Sequence, residues 1–192
     1  MQRRRILKLI AGVAVSVLSG GVARAARVVA NFRFVRPPGA LPEHEFTSAC
    51  IGCGLCAQVC PNRAINYFSP GAGKKANTPY IVPRTKACIL CMKCGAACPT
   101  GALKKITRNA ESIVQNVKMG HARVDKTLCL SYQGKTCGVC YRACPLQDRA
   151  LKVGMLEQPE VLGECVGCGI CERSCIQIPQ AIKVIPTHLA TA

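Results

Sequence analysis

The sequence contains no tryptophan, and four phenylalanines and four tyrosines are its whole aromatic content in 192 residues. A chain this short of large apolar side chains needs something other than aromatic packing to reinforce its core. Acids are scarce as well, nine against 26 Lys plus Arg, for a formal net charge of +17. There is no P-loop, no G-x-G-x-x-G after a strand and no nucleophile elbow, which excludes the nucleotide-binding and hydrolase chemistries those motifs serve. The apolar run from Leu9 to Leu18 is about half of the ~20 residues a spanning helix needs.

What the chain has in excess is cysteine, sixteen in all, and spacing gives them meaning. Cys50, Cys53, Cys56 and Cys60 are separated by two, two and three residues; so are Cys88, Cys91, Cys94 and Cys98, and so are Cys165, Cys168, Cys171 and Cys175. Cys129, Cys137, Cys140 and Cys144 repeat the pattern with seven residues in the first gap. A proline follows the last cysteine of the first three motifs (Pro61, Pro99, Pro145) but not Cys175. A disulfide framework scatters its cysteines, because each pair must meet across the fold, and structural zinc takes cysteines in pairs. Triplets of thiolates two residues apart instead let a loop curl over three corners of a cubic four-iron, four-sulfur cluster.

The spacing therefore predicts four [4Fe-4S] clusters with all sixteen cysteines as iron ligands. In two-cluster ferredoxins the last cysteine of each motif crosses to the other cluster. Applied to neighbouring motifs, this groups Cys50, Cys53, Cys56 with Cys98; Cys88, Cys91, Cys94 with Cys60; Cys129, Cys137, Cys140 with Cys175; and Cys165, Cys168, Cys171 with Cys144. Pairing of the first motif with the last is the alternative. Gly52, Gly54, Gly138, Gly167 and Gly169 suit tight turns and the approach of backbone N–H groups to sulfur. No ligand position is left for His44, His121 or His188, which read as surface or loop residues, and Tyr141 reads as packing.

Charge then loses most of its force as a sign of nucleic-acid binding. Five of the cations lie in residues 1–25, which leaves +12 on the remainder. Each oxidised cluster with its four thiolates carries about −2, so most of the excess has an internal partner and no nucleic acid is expected. Lys86, Lys93, Lys104 and Lys105 surround the second motif, whereas Glu160, Glu164 and Glu172 flank or enter the fourth. Two readings stand side by side: a higher potential at the second motif with the fourth as a candidate low-potential end, or solvated surface charges with little effect on either cluster.

Residues 1–25 read as a removable signal. Arg3 and Arg4, with Ile6, Leu7 and Lys8, have the form of a twin-arginine signal, and Ala23-Arg24-Ala25 offers a cleavage site. That route carries folded proteins, which suits a cargo whose clusters are inserted before export.

The predicted fold is α+β: two tandem bacterial-type 2[4Fe-4S] ferredoxin-like domains, at 26–106 with a proline-rich lead-in and at 122–192, joined by a connector at 107–121 that is weakly helical around Ala110 to Lys118. The repeating unit is strand, cysteine loop, short helix around the fourth cysteine, turn and strand. Candidate strands are Tyr80-Ile81-Val82 and Ala122-Arg123-Val124 before motifs, and the stretches after them ending at Phe68, Ile106, Val153 and Ile185. Ser69 to Thr78 reads as an exposed loop whose Lys74 and Lys75 form a solvated tip.

The twin-arginine start, the lead-in Arg36-Pro37-Pro38-Gly39-Ala40-Leu41-Pro42-Glu43, the widened third motif running to Pro145-Leu146 and the missing proline after Cys175 together resemble the NapG/MauM group of ferredoxin-type proteins. These belong to periplasmic nitrate reductase and methylamine utilisation systems. The resemblance spans about Arg3 to Ile185. It implies a periplasmic electron carrier rather than an enzyme, free or associated with the inner membrane. Electrons would come from a membrane-bound quinol-oxidising ferredoxin-type partner and pass toward a periplasmic redox acceptor, a reductase or a maturation system. The alternative is a tightly bound iron-sulfur subunit of a multisubunit oxidoreductase complex. The second motif departs from the nitrate-reductase pattern, with only two residues between Cys91 and Cys94.

Overall fold

Glycine, proline and closely spaced cysteine interrupt this chain too often for long regular elements. A computed structural model, which describes residues 33–190, accordingly mixes short helices with three two-stranded antiparallel sheets. The elements are α1 (Glu43–Ala49), α2 (Leu55–Gln58), β1 (Asn66–Tyr67), β2 (Pro79–Tyr80), α3 (Lys93–Ala96), α4 (Ala110–Asn116), β3 (Gly120–Val124), α5 (Val139–Arg142), β4 (Leu151–Val153), β5 (Pro159–Val161), α6 (Ile170–Ser174), β6 (Ile182–Pro186) and α7 (Thr187–Ala190). The proposed signal at 1–25 and the start of the lead-in lie outside the described residues. No helix among the described residues is long and apolar enough to cross a membrane.

The second half closes on itself. β3, before the third motif, pairs with β6, after the fourth, over five residues from Gly120 opposite Pro186 to Val124 opposite Ile182. β4, after the third motif, pairs with β5, before the fourth, with Leu151 opposite Val161. The first half repeats this topology in a weaker form. β1 pairs with β2, but the outer pair is reduced to a single bridge, Ala40 with Leu103, and a further bridge, Val35 with Ile81, lays the lead-in beside the end of β2. The strand expected to end at Ile106 is therefore only a bridge. Its partner is the lead-in, where Pro37, Pro38 and Pro42 have no N–H to donate to a ladder.

The short helices differ from expectation in position. Each carries the third cysteine of its motif, Cys56, Cys94, Cys140 or Cys171, and ends one or two residues before the fourth. The reason is a left-handed residue after the second cysteine, at Gly54, Met92, Gly138 and Gly169, with φ of 85°, 58°, 52° and 83°. That corner starts the helix early.

Phe34–Ala192 form one compact unit, and the expected boundary at 107–121 lies inside it. One apolar core holds Val35, Phe46, Ile81 and Leu103 from the first half, Val166 and Val184 from the second, and Ile113, Val114 and Val117 from the segment between them. α4 forms there because Asn109 caps it, its side chain accepting a hydrogen bond from the Ser112 N–H at 2.7 Å. A smaller core contains Ala122, Leu151, Cys171 and Ile182.

Arg36, 6 % exposed, fastens the lead-in. Its guanidinium donates to both Glu43 carboxylate oxygens at 2.9 and 2.6 Å, to Thr78 Oγ1 at 3.0 Å and to the Pro79 carbonyl at 2.7 Å. It also lies 4.6 Å from the centroid of the Phe46 ring. Loop 69–78 is thereby drawn onto the protein. Lys74 is exposed, but Lys75 sits over Phe34 at 4.9 Å and 4.0 Å from Glu43, so only one of the pair forms a solvated tip.

Burial raises the Glu43 carboxyl, but the Arg36 hydrogen bonds and charge outweigh it and hold Glu43 below its ordinary value of 4.5. A depressed carboxylate stabilises the fold above the unfolded value, and that stability is lost as pH falls through the folded one. Glu43→Gln is expected to cost about 2–3 kcal/mol at neutral pH by weakening the support of a buried guanidinium. The difference in melting temperature from wild type should shrink below pH 4.5. Gly167, at φ 72°, offers a second test: an added Cβ would lie 2.5 Å from Gly120 backbone atoms, so Gly167→Ala should lose about 3 kcal/mol in a denaturant titration.

Candidate iron-sulfur sites

Three corners of each site come from one loop. In the first and fourth motifs, glycines occupy two left-handed positions per loop, Gly52 and Gly54, then Gly167 and Gly169. In the second motif Leu90 and Met92 take these positions, at φ of 55° and 58°, and both side chains are buried. That loop accepts a backbone cost of about 1–2 kcal/mol per residue and offsets it with apolar burial.

In three places the neighbouring motif completes the set. Cys50, Cys53, Cys56 and Cys98 line one cavity, with Phe46, Tyr67 and Leu103 in its wall. Cys129, Cys137, Cys140 and Cys175 line another. Cys165, Cys168, Cys171 and Cys144 line a third. Of the remaining set, Cys91 and Cys94 are near enough to Cys88 for their charges to act on its thiol, and Cys60 packs against the core that holds Cys88 and Cys94. In the three cavities, spatial grouping follows adjacent motifs.

The donor set suits a cationic multi-atom centre. Burial, with like charge from neighbouring cysteines, pushes Cys94 and Cys168 up to about 12 and Cys140 to about 11, and raises Cys56, Cys88, Cys144 and Cys171. Thiolates gathered this way need compensating positive charge. Cys98 departs from this pattern: burial raises it, but the Leu103 N–H at 3.4 Å from its sulfur and the Thr100 hydroxyl outweigh that and lower it. Backbone N–H groups also meet Cys60 from Ala64 and Cys165 from Ala122, each at 3.5 Å, and the Tyr67 hydroxyl lies 3.2 Å from Cys56 Sγ. Among the described residues no three His, Cys, Asp or Glu side chains converge closely enough to hold a single ion; the thiols stand around cavities instead.

Cys56 and Cys94 share the main apolar core, and Cys171 and Cys140 meet at the smaller one. The halves meet where the Cys88 N–H donates to the Cys168 carbonyl at 3.0 Å, bringing the second set against the fourth. The fourth motif, expected from its acids to be an end, therefore lies against the other half. Two of those acids are also answered: Glu160 pairs with Lys152 at 3.1 Å and Glu164 with Arg149 at 2.5 Å. Glu172 is 1 % exposed and accepts the Val184 N–H at 2.7 Å. The four lysines around the second motif are exposed.

Of the remaining candidates, His44 and His121 are exposed, whereas His188 is half-buried and stacks on Phe34 at 4.4 Å. Tyr141 packs against the smaller core, and its hydroxyl donates to Asp148 at 3.0 Å. Sequence reasoning did not identify Arg84, which donates to the carbonyls of Glu172, Arg173 and Cys175 at the end of α6 and clamps the two halves together. A lone arginine four residues before a cysteine motif carries no local signal of that role.

Comparison with known proteins agrees with this geometry. Residues 49–102 match the family described as 4Fe-4S dicluster domain. The chain is 39% identical over 207 aligned positions to "Ferredoxin-type protein NapG" of Escherichia coli K12, covering 98% of this chain and 87% of that one. It is 36% identical over 185 positions to "Methylamine utilization ferredoxin-type protein MauM" of Methylophilus methylotrophus, covering 91% and 77%. To the MauM protein of Methylorubrum extorquens it is 37% identical over 174 positions, covering 83% and 76%. With cysteine sets of this form and identity over most of its length to both kinds of protein, the chain belongs to the NapG/MauM group of ferredoxin-type iron-sulfur proteins.

Proposed function

We propose that this protein is an electron carrier of two ferredoxin-like halves, holding four [4Fe-4S] clusters through all sixteen cysteines in the neighbouring-motif grouping. The observation that carries the reading is the completion of a cysteine triplet in each of three cavities by the last cysteine of the adjacent motif. Such a centre supplies one-electron chemistry. The chain's part is to ligate through thiolates, to exclude water with apolar walls and to aim N–H groups at the sulfurs. The contact of Cys88 with Cys168 supports one continuous path through both halves.

In this reading the protein is exported folded through the signal at 1–25 and works in the periplasm. It takes electrons from a membrane-bound quinol-oxidising ferredoxin-type protein and passes them to a periplasmic reductase or maturation system. The names of the relatives support a place in a nitrate-reductase or methylamine type of system.

Anaerobic reconstitution should give about sixteen irons and sixteen sulfides per chain. Cys98→Ser should lower both by about four, and the lost spectroscopic signal should belong to the first set. Stoichiometric zinc, or an iron count that Cys98→Ser leaves unchanged, would overturn the assignment.

A further inference from the structure

The widened gap between Cys129 and Cys137 distinguishes the third motif, and carrier function alone does not account for it. Its first residues form a single 3-10 turn, Leu130–Gln133, that starts at Cys129 and ends at the left-handed Gly134. This turn places Ser131 in the wall of the cavity lined by Cys129, Cys137, Cys140 and Cys175. Ser131 is 1 % exposed, and its hydroxyl is the buried side-chain oxygen that lacks a hydrogen-bond partner among the described residues. Its carbonyl is engaged separately, accepting from Gln158 Nε2 at 3.3 Å.

A buried hydroxyl without a partner is rare and costly, and it calls for an acceptor. Among the wall residues Leu130, Val139, Pro159, Ala181 and Ile182 are apolar, and the Gln177 amide donates to the Leu128 carbonyl at 2.9 Å and makes no hydrogen bond to the Ser131 hydroxyl. The sulfurs of a centre held by these four cysteines are acceptors of the required kind in that space. From this juxtaposition we infer that Ser131 donates its O–H to sulfur at the third site and raises that site's reduction potential above the value its thiolates alone would set. The inference rests on the iron-sulfur reading of the four cysteines. A hydrogen bond to sulfur stabilises the reduced, more negative state. No proton is transferred and no bond other than the hydrogen bond is formed.

The test is a redox titration of the reconstituted full chain, followed by electron paramagnetic resonance, on wild type, Ser131→Ala and Ser131→Thr. Ser131→Ala is expected to keep its full iron and sulfide and to shift one of the four midpoint potentials downward. Ser131→Thr, which retains the hydroxyl, should leave that potential close to wild type. Full iron with four unchanged potentials in Ser131→Ala would overturn the role of Ser131 and leave the carrier reading intact, whereas zinc in place of iron would overturn both. Should Ser131→Ala lose iron, a crystal structure of the reconstituted wild-type chain decides the matter. Ser131 Oγ within hydrogen-bond distance of a sulfur at the third site is the expected result, and Oγ bonded only to water or to a carbonyl overturns the inference.

Discussion

Buried sulfur is the constraint on which the rest of this structure depends. Sixteen thiols are gathered in close sets, with Cys56, Cys88, Cys94, Cys129, Cys168 and Cys171 buried, so that thiolates there would be desolvated and mutually repelled and would call for compensating positive charge. In the proposed reading, iron supplies the missing positive charge. It also supplies the cross-links that a chain without tryptophan and with two- to seven-residue elements cannot obtain from packing alone. The sheets are brief because they have only to hold loops around these centres. Four-residue helices suffice for the same reason, since each has only to turn the chain between one ligand and the next.

In the proposed grouping, exchange of the last cysteine between neighbouring motifs makes each half indivisible, and different interactions make the halves one body. Cys88 meets Cys168 through the backbone, Gly169 leaves room for Pro83, and Arg84 gathers three carbonyls at the end of α6. Arg84 works there as a helix C-terminus favours, with positive charge against unpaired carbonyls, although the helix is only five residues long. The segment between the halves is a packed part of the core through Ile113, Val114 and Val117 rather than a tether. The repeat is twofold in sequence. A repeat reveals how many units there are, but not how much apolar surface each leaves for the other.

Much of the site was legible for a simple reason: ligands to one centre must be close in sequence when a single loop supplies three of them. The same locality made β3, β4, β6 and α4 readable from the short stretches beside and between the motifs. What escaped depended on distant partners. The outer pairing of the first half shrank to a single bridge because prolines in the lead-in oppose Leu103 some sixty residues later. The helices slid onto the third cysteine because left-handed corners, including the unmarked Met92, fall before it. His188 is stacked on Phe34, and the fourth motif lies against the second, through contacts that no local pattern encodes.

The charges around the motifs illustrate the same limit and show where control of potential resides. Lysines near the second motif and acids near the fourth are conspicuous in sequence, yet the lysines are solvated and Glu160 and Glu164 are already paired. Water and counterions screen such charges, so each acts weakly on a site beneath the surface. Groups removed from water act through a lower dielectric and at fixed geometry. The groups with most leverage are therefore the buried ones: the N–H groups of Ala64, Leu103 and Ala122 at cysteine sulfur, Glu172 beside Cys171, and the hydroxyl of Ser131. A net charge of +17 draws attention to the surface, whereas in the proposed reading the groups placed to tune the sites are a few neutral donors and one carboxylate in the interior.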